Sequence, residues 1–438
     1  MNITGSNPMN PWSIPRKISF RFFFIYILLQ ITPWTWLEVI PGVGYVTQYY
    51  YQFIEWLVYA ANDHVFHVRE VLVPLNGSGD TSYAWTQLWL YLCLALTGCL
   101  IWSIVDRKSS HYIKSDYWLR TFVRYFIAMQ ALGYGIIKLF ALQMIFPNLS
   151  QLATPLGDFL PMRLSWMFIG YSEPYQIFSG VMEVLAGLLL LNRKTVTMGL
   201  CVAVGVFANV VMLNLSFDIP VKLFSMHLLF YSLFLLTYDA KRLLQFFILN
   251  QPVSPSYSYQ ISFPEKWLRY GRIALKSGFV VMTAIMPFIN SYQRYTAAIS
   301  TGEIKPISAG MYDVKTFVIN RDTVPILAND TLVWKDVIFE KNGMGSINST
   351  DTLFRQRYHR GYFNYELDSV THTMSFIKRS VTGDSTFLFN SRFELPDQNR
   401  IRLWAKIRND SVYVELVKSR RHFQLAEKQF HWLSEYNR

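Results

Sequence analysis

AWTQLWLYLCLALTGCLIWSIV, residues 84–105, is a run of 22 residues without one charged side chain. A helix of that length rises about 33 Å at ~1.5 Å per residue, enough to cross ~30 Å of hydrocarbon. In that solvent the chain must satisfy its own backbone hydrogen bonds, which an α-helix does within one segment. Similar windows recur near 20–38, 121–146, 175–192, 195–217, 219–238 and 274–293. They predict an α-helical polytopic membrane bundle of about seven transmembrane helices. Tyr45 to Tyr59 is aromatic-rich but broken by Gln48, Gln52 and Glu55, which predicts a helix lying in the interface.

Basic residues orient the spans. Arg16, Lys17 and Arg21 precede the first, and the loops that alternate onto the same side hold Arg107, Lys108 and Lys114, Arg193 and Lys194, and Lys241 through Arg272. The opposite loops hold Arg69, Arg163 and Lys222. The asymmetry predicts a multi-pass protein of the cytoplasmic (inner) membrane, N-terminus inside and C-terminal domain outside. No small-residue cleavage site follows the first basic cluster, so the first apolar stretch reads as an uncleaved span. The formal net charge of +12 is largely these flanking residues, and no basic stripe interleaved with aromatics points to nucleic acid. Cys93, Cys99 and Cys201 all lie in apolar runs and read as packing residues.

From Gly302 the pattern changes to period two, as where Val412, Val414 and Leu416 alternate with Tyr413, Glu415 and Val417. Apolar runs at Met311–Ile319, Leu332–Phe339, Tyr362–Leu367, Met374–Lys378, Thr386–Phe389, Ile401–Ile407 and Ser411–Lys418 are separated by turns such as Arg408–Asn409–Asp410. Residues 1–299 therefore read as a helical transmembrane domain, and 300–438 as an extracytoplasmic domain, a C-terminal antiparallel β sandwich or small barrel. Phe430–His431–Trp432 reads as an aromatic end that closes a sheet or docks on the bilayer face.

Ionisable groups inside a bilayer are costly and usually face a protein interior. Four polar residues stand out in the windows: Lys138, Glu183, Asn209 and His227. Each lies eight residues from the outer end of its window (Phe146, Tyr175, Phe217 and Ile219), roughly 12 Å deep, so the spacing predicts one layer near the midplane. Lys138 and Glu183 offset each other's charge only if they meet. Gly135, Ala186 and Gly187 would let their helices approach, with Tyr134 one turn before Lys138. Without a function, Lys138 would snorkel outward while Asn209 and His227 join helices by hydrogen bonds. A second cluster, Asn214, Asp218, Pro220 and Lys222, reads as a tight turn with Asp218 capping the next helix.

The run Tyr134-Gly135-Ile136-Ile137-Lys138-Leu139-Phe140, then Gly180-Val181-Met182-Glu183 and Gly187-Leu188-Leu189-Leu190, resembles the DoxX-like family of small bacterial membrane proteins over about 118–240. More remotely, its Gly-x-x-Lys helix is similar to the transmembrane domain of vitamin K-dependent carboxylases. The first resemblance implies a four-helix unit linked by name to quinone reduction, the second a lysine base acting on a quinol. The added strand domain resembles long DoxX-like proteins of Bacteroidetes-type bacteria, which implies a periplasmic location. The Asn-x-Ser/Thr triplets at Asn148 and Asn348 read as chance.

Two function classes follow. In the first, a redox-linked enzyme or accessory subunit binds a quinol-like lipid between the helices; Lys138 and Glu183 would be its catalytic pair, with Tyr134, Asn209 and His227 as ligand-binding residues. A buried amine can serve as base, and a nearby carboxylate restores its charge. In the second, a non-catalytic envelope protein holds its bundle together with these groups, and the outer β domain binds an envelope protein partner or a glycan. A transporter is disfavoured by the lack of an inverted repeat. His64 and His67 have no ligating companions nearby in sequence, so no metal site is predicted; no cofactor is evident in the sequence, and a quinone is the one the first reading would bring.

Overall fold

The computed structural model describes residues 11–255, 264–300, 306–325, 332–379, 384–427, 432, 433 and 435. Phe430 and His431 lie outside the described residues, and Trp432 is exposed. In chain order the helices are α1 (Ile14–Ile31), α2 (Val43–Ala61), α3 (Ser82–Val105), α4 (Ile113–Leu139), α5 (Leu149–Leu152), α6 (Pro161–Tyr171), α7 (Glu173–Leu191), α8 (Val196–Ser216), α9 (Lys222–Leu236), α10 (Ala240–Leu243), α11 (Lys266–Val280) and α12 (Met286–Ser300). The chain forms two compact units, Met1–Gln143 with Pro174–Gln293, and Met144–Glu173 with Arg294–Arg438. The second unit thus takes in the 144–173 segment as well as the strands.

Six helical stretches of the described chain are long and apolar enough to cross a membrane: Ile14–Val39, Ser82–Val105, Glu173–Leu191, Val196–Ser216, Lys222–Ile248 and Lys266–Ser300. The protein is an integral membrane protein. The remaining expected span corresponds to α4, 27 residues long but charged at Lys114, Asp116, Arg120, Arg124 and Lys138. Contacts place it within the bundle. Arg21, early in α1, donates to the Tyr112 hydroxyl just before α4 (3.0 Å) and to Ser103 near the end of α3 (2.8 Å). Tyr238, beyond α9, donates to Asp116 in the first turn of α4 (2.7 Å). At the far end of α4, Phe140 packs on Phe288 of α12 (5.1 Å), while Tyr125 nearer its start packs on Phe279 of α11 (4.9 Å). So α4 runs along the bundle, antiparallel to α3 and α9 and parallel to α11 and α12. Leu119, Val123, Ile127, Ala131, Leu132 and Ile136 are buried along it. A helix enclosed by protein on this scale need not be as apolar as one wrapped in lipid, which is why hydropathy alone passes over it.

The 121–146 window predicts a helix that ends at Phe146, but α4 ends at Leu139. Ala141 takes a left-handed φ of 51°, its N–H bonds the Lys138 carbonyl (2.9 Å), and the Leu142 N–H bonds that of Ile137 (3.1 Å). This is a Schellman stop built on alanine instead of the usual glycine, so composition does not announce it.

In the second unit, ten strands run β1 (Gly310–Ile319), β2 (Asp322–Thr323), β3 (Asp336–Phe339), β4 (Met344–Ile347), β5 (Arg355–Arg357), β6 (Arg360–Asp368), β7 (Thr373–Arg379), β8 (Ser385–Asp397), β9 (Arg400–Ile407) and β10 (Asp410–Lys418). The order β10-β9-β8-β7-β6-β4-β3-β1 is antiparallel throughout and closes where Tyr312–Ile319 pairs with Val412–Lys418. Of the two predicted alternatives, the barrel is the one observed. Its eight-stranded wall leaves β2 and β5 as short side strands on β1 and β6. The interior is filled: Trp334, Phe339, Phe354, Phe363, Phe376 and Phe389 are buried, with Phe376 and Phe389 stacked at 4.6 Å. Inward residues alternate along β10, where Val412, Val414 and Leu416 are buried.

The 144–173 segment is bonded to the barrel. Glu340, buried after β3, accepts from the Ser150 N–H (2.9 Å) and hydroxyl (2.8 Å), and Ser346 of β4 donates to the Ser150 hydroxyl (2.9 Å). Arg360 extends the network to Ser346 (2.9 Å) and Asp336 (2.5 Å). Arg360 and Asp336 offset each other's charge, and Glu340 is held by neutral donors, so each buried charge is hydrogen-bonded, as burial requires.

Candidate functional site

Two stripes of small residues bring α4 and α7 together. A Cβ on Gly135 would lie 2.8 Å from the Val184 nitrogen, and one on Gly187 2.7 Å from Leu132 Cγ. The helices therefore approach at backbone distance, the small-residue packing of membrane interfaces. Buried on the same face of α7 are Gln176, Gly180, Glu183, Ala186, Gly187 and Leu190, spaced by three, four or seven residues.

This packing sets the candidate site. Lys138, in the last turn of α4, points its ammonium at Glu183, near the middle of α7, and donates to Oε1. Lys138 is 7% exposed and Glu183 2%. Helical side chains lean toward the helix N-terminus, so a lysine in the last turn of α4 reaches back into the bundle instead of out of it. Its place among the final carbonyls of α4 also favours positive charge. Snorkelling outward is thereby excluded for this lysine. Glu183 Oε2 is buried and, among the described residues, has no hydrogen-bond partner. A carboxylate oxygen without a donor in such surroundings is costly, so this atom is an open acceptor inside the bundle.

The predicted layer of four polar residues is only partly assembled. Lys138 is one residue from the end of α4, because the helix stops early. Tyr134 is exposed, with its ring 6.1 Å from Phe224 of α9. His227 is engaged elsewhere: Nδ1 faces the Leu223 carbonyl (2.7 Å) and Nε2 the Tyr26 hydroxyl of α1 (2.7 Å). If Nδ1 carries the proton, Nε2 accepts from Tyr26. Asn209 lies on the exposed face of α8. The structure thus brings Lys138 and Glu183 together and leaves Asn209 outside.

Other polar roles differ from the expected ones. The start of α9 is capped by Asp80, whose oxygens accept from the Lys222 and Leu223 N–H groups (2.8 and 2.9 Å), while Asp218 is an exposed partner of the Lys222 ammonium (2.7 Å). The second cluster is a capped turn, but the cap comes from a residue ahead of α3. Arg21, expected as a topology anchor, is buried at 5% and its guanidinium is spent on Tyr112, Ser103 and the Asp106 carbonyl. Arg124 escaped notice in the sequence. It sits on α4 against the Tyr125 ring (4.9 Å) with a buried Nε that has no hydrogen-bond partner among the described residues. Its sequence signal was a charge inside an otherwise apolar window.

No family model matches the chain. No solved structure matches it either. Over 126 residues it is 31% identical to the uncharacterized protein YwoB of Bacillus subtilis (strain 168), a match covering 79% of that relative. The chain belongs to the YwoB family. The YwoB match occupies 28% of the chain, so YwoB is the much shorter protein and most of the present sequence lies outside the shared part. YwoB's name carries no activity, and chemistry must come from the geometry of the pair.

Proposed function

We propose that this is a DoxX-type membrane protein that binds a quinol-like lipid at the Lys138–Glu183 pair. The observation that carries the reading is Glu183 Oε2, an acceptor without a donor among the described residues at 2% residue exposure. A ring hydroxyl from a lipid-soluble quinol would donate to that oxygen, while Lys138 holds the other oxygen. The roles therefore differ from a lysine base: Lys138 is the counter-ion and Glu183 the acceptor. Tyr134 and Phe224, at the exposed edge, would border the entry from lipid. The apolar tail of such a ligand needs no site, since the bilayer solvates it. Electron transfer is not part of the proposal.

Orientation belongs to the same reading. The basic residues collect at the end where α1 and α4 begin, which supports a cytoplasmic N-terminus and a barrel outside the inner membrane, in the periplasm. The 144–173 segment and the barrel fold as one unit, so both lie on one side of the bilayer. Four spanning stretches separate them in the chain, an even number. A reporter that works only in the cytoplasm, fused after Arg438, should stay silent.

The test is chemical. Detergent-purified wild type is extracted with organic solvent, and quinone is quantified beside Glu183→Gln and Tyr134→Ala. The proposal expects bound quinone in wild type and its loss in Glu183→Gln. Equal, trace amounts in all three would contradict it. They would leave the second reading, an envelope protein whose barrel binds a partner. One observation favours that alternative: the filled interior confines binding to the outer wall, where Trp404 and Tyr413 pair at 5.4 Å.

A further inference from the structure

α2 does not lie in the interface, as its mixture of aromatic and polar residues predicts. It packs on α3, with the Tyr59 ring against that of Tyr83 (5.9 Å) and the Tyr50 hydroxyl beside that of Tyr91. The step from Tyr59 to Tyr50 thus matches the step from Tyr83 to Tyr91, and the two helices run antiparallel, side by side. α3 is a membrane span that begins at Ser82. Counting ~1.5 Å per residue back from Tyr59, Gln52 lies roughly 10 Å and Gln48 roughly 16 Å past the level of Tyr83. Both therefore stand within the ~30 Å of hydrocarbon that α3 crosses.

That depth makes their surroundings costly. Ile54 and Val58 are buried against the bundle, whereas Gln48 and Gln52, one turn apart, are exposed on the side of α2 turned away from it. Neither amide has a hydrogen-bond partner among the described residues. Next to them the exposed Tyr51 hydroxyl donates to Glu38 (2.6 Å), which brings a carboxylate to the same depth. Polar groups at this level of a membrane protein face other protein and not lipid.

We propose that this side of α2 docks a second copy of the chain, with Gln48 and Gln52 of the two copies hydrogen-bonded to one another about a twofold axis normal to the bilayer. The occupant follows from the chemistry. A primary amide donates and accepts at once, so a glutamine row is complementary to itself, and a twofold contact sets each row against its own copy. Copies of one chain enter the bilayer in one orientation, so their α2 helices run parallel, as that axis requires. Gly44, four residues before Gln48, has nothing within 4 Å of a would-be Cβ, which leaves room for a second backbone. Tyr45, Tyr49 and Phe53, 75%, 69% and 57% exposed, flank the row and give the contact its apolar area.

The test uses the full-length protein in native membranes, in a background with Cys93, Cys99 and Cys201 replaced by alanine. On mild oxidation Gln52→Cys should give a disulfide-linked species of twice the chain mass, severalfold more than Leu96→Cys, an exposed position on α3. Cross-linking at the Leu96→Cys level, or a linked species of any other mass, would overturn the proposal. The number of copies gives an independent reading. Light scattering in mild detergent should find two copies for wild type and one for Gln48→Leu combined with Gln52→Leu, changes that suit a lipid-facing helix and so keep the fold. A wild type of one copy, or a double variant that stays at two, would also overturn it.

Discussion

Gly180 of α7 faces Gly135 of α4 so closely that a Cβ on Gly180 would lie 2.7 Å from the Gly135 carbonyl oxygen and 2.9 Å from Lys138 Cβ. The obstacle is mainly backbone, which cannot rotate away as a flexible side-chain tip can. Gly180→Ala should therefore force the two helices apart and cost about 1–3 kcal/mol, the usual range for overpacking. Gly205 of α8 has nothing within 4 Å of its would-be Cβ. Gly205→Ala should be neutral or stabilising, because alanine is the better helix former by roughly 1 kcal/mol. Detergent-state melting temperatures of both variants check the contrast.

Ala141 holds the left-handed position of the α4 stop at φ 51°. An L-residue with a Cβ is strained there by roughly 1–2 kcal/mol, and glycine is not. Ala141→Gly also loosens the unfolded chain, so the net gain should be about 0.5–1 kcal/mol. A raised melting temperature is expected. A lowered one would mean that the chain does not turn at this residue.

Much of the architecture was written locally, and what was not has a common cause. Apolar windows announce spans because lipid contact demands them, and alternation in Val412–Val414–Leu416 announces a strand because one face is buried. β4 is silent, since Met344–Ile347 contains Gly345, a position where a Cβ would lie 2.4 Å from Phe363 Cζ and where propensity says nothing of fit. The remaining misses are long-range. Asp80 caps a helix 142 residues away, Glu340 holds Ser150 across 190 residues, and the pairing of β1 with β10 decides between barrel and sandwich. The Lys138–Glu183 pair was legible because the two helices follow one another around the bundle and opposite charges in lipid need each other. Asn209 carries no charge, so nothing obliged it to face inward.

Asp368 at the β6–β7 turn accepts from the Val370 N–H (2.8 Å) and the Thr371 N–H (3.2 Å). The Thr371 hydroxyl, followed by these backbone donors, holds its carboxyl below the ordinary carboxylate range. A depressed folded pKa contributes stability that is present above the unfolded value of about 3.9 and is lost as pH falls through the folded value. The stability gap between wild type and Asp368→Asn should therefore be widest near neutral pH and shrink below about pH 4. A gap that stays constant across that range would show that the charge is not what Asp368 contributes.

The account rests on Lys138 and Glu183 meeting inside the bundle as an ion pair. Removing one partner leaves a buried charge uncompensated, typically at about 3–5 kcal/mol, whereas removing both takes the unmatched charge away with its cause. The most direct measurement is a double-mutant cycle in detergent, with Lys138→Met, Glu183→Gln and the two combined, read by thermal unfolding. The pair predicts that each single change lowers the melting temperature more than the double change does. Additive losses, as independent sites give, would contradict it.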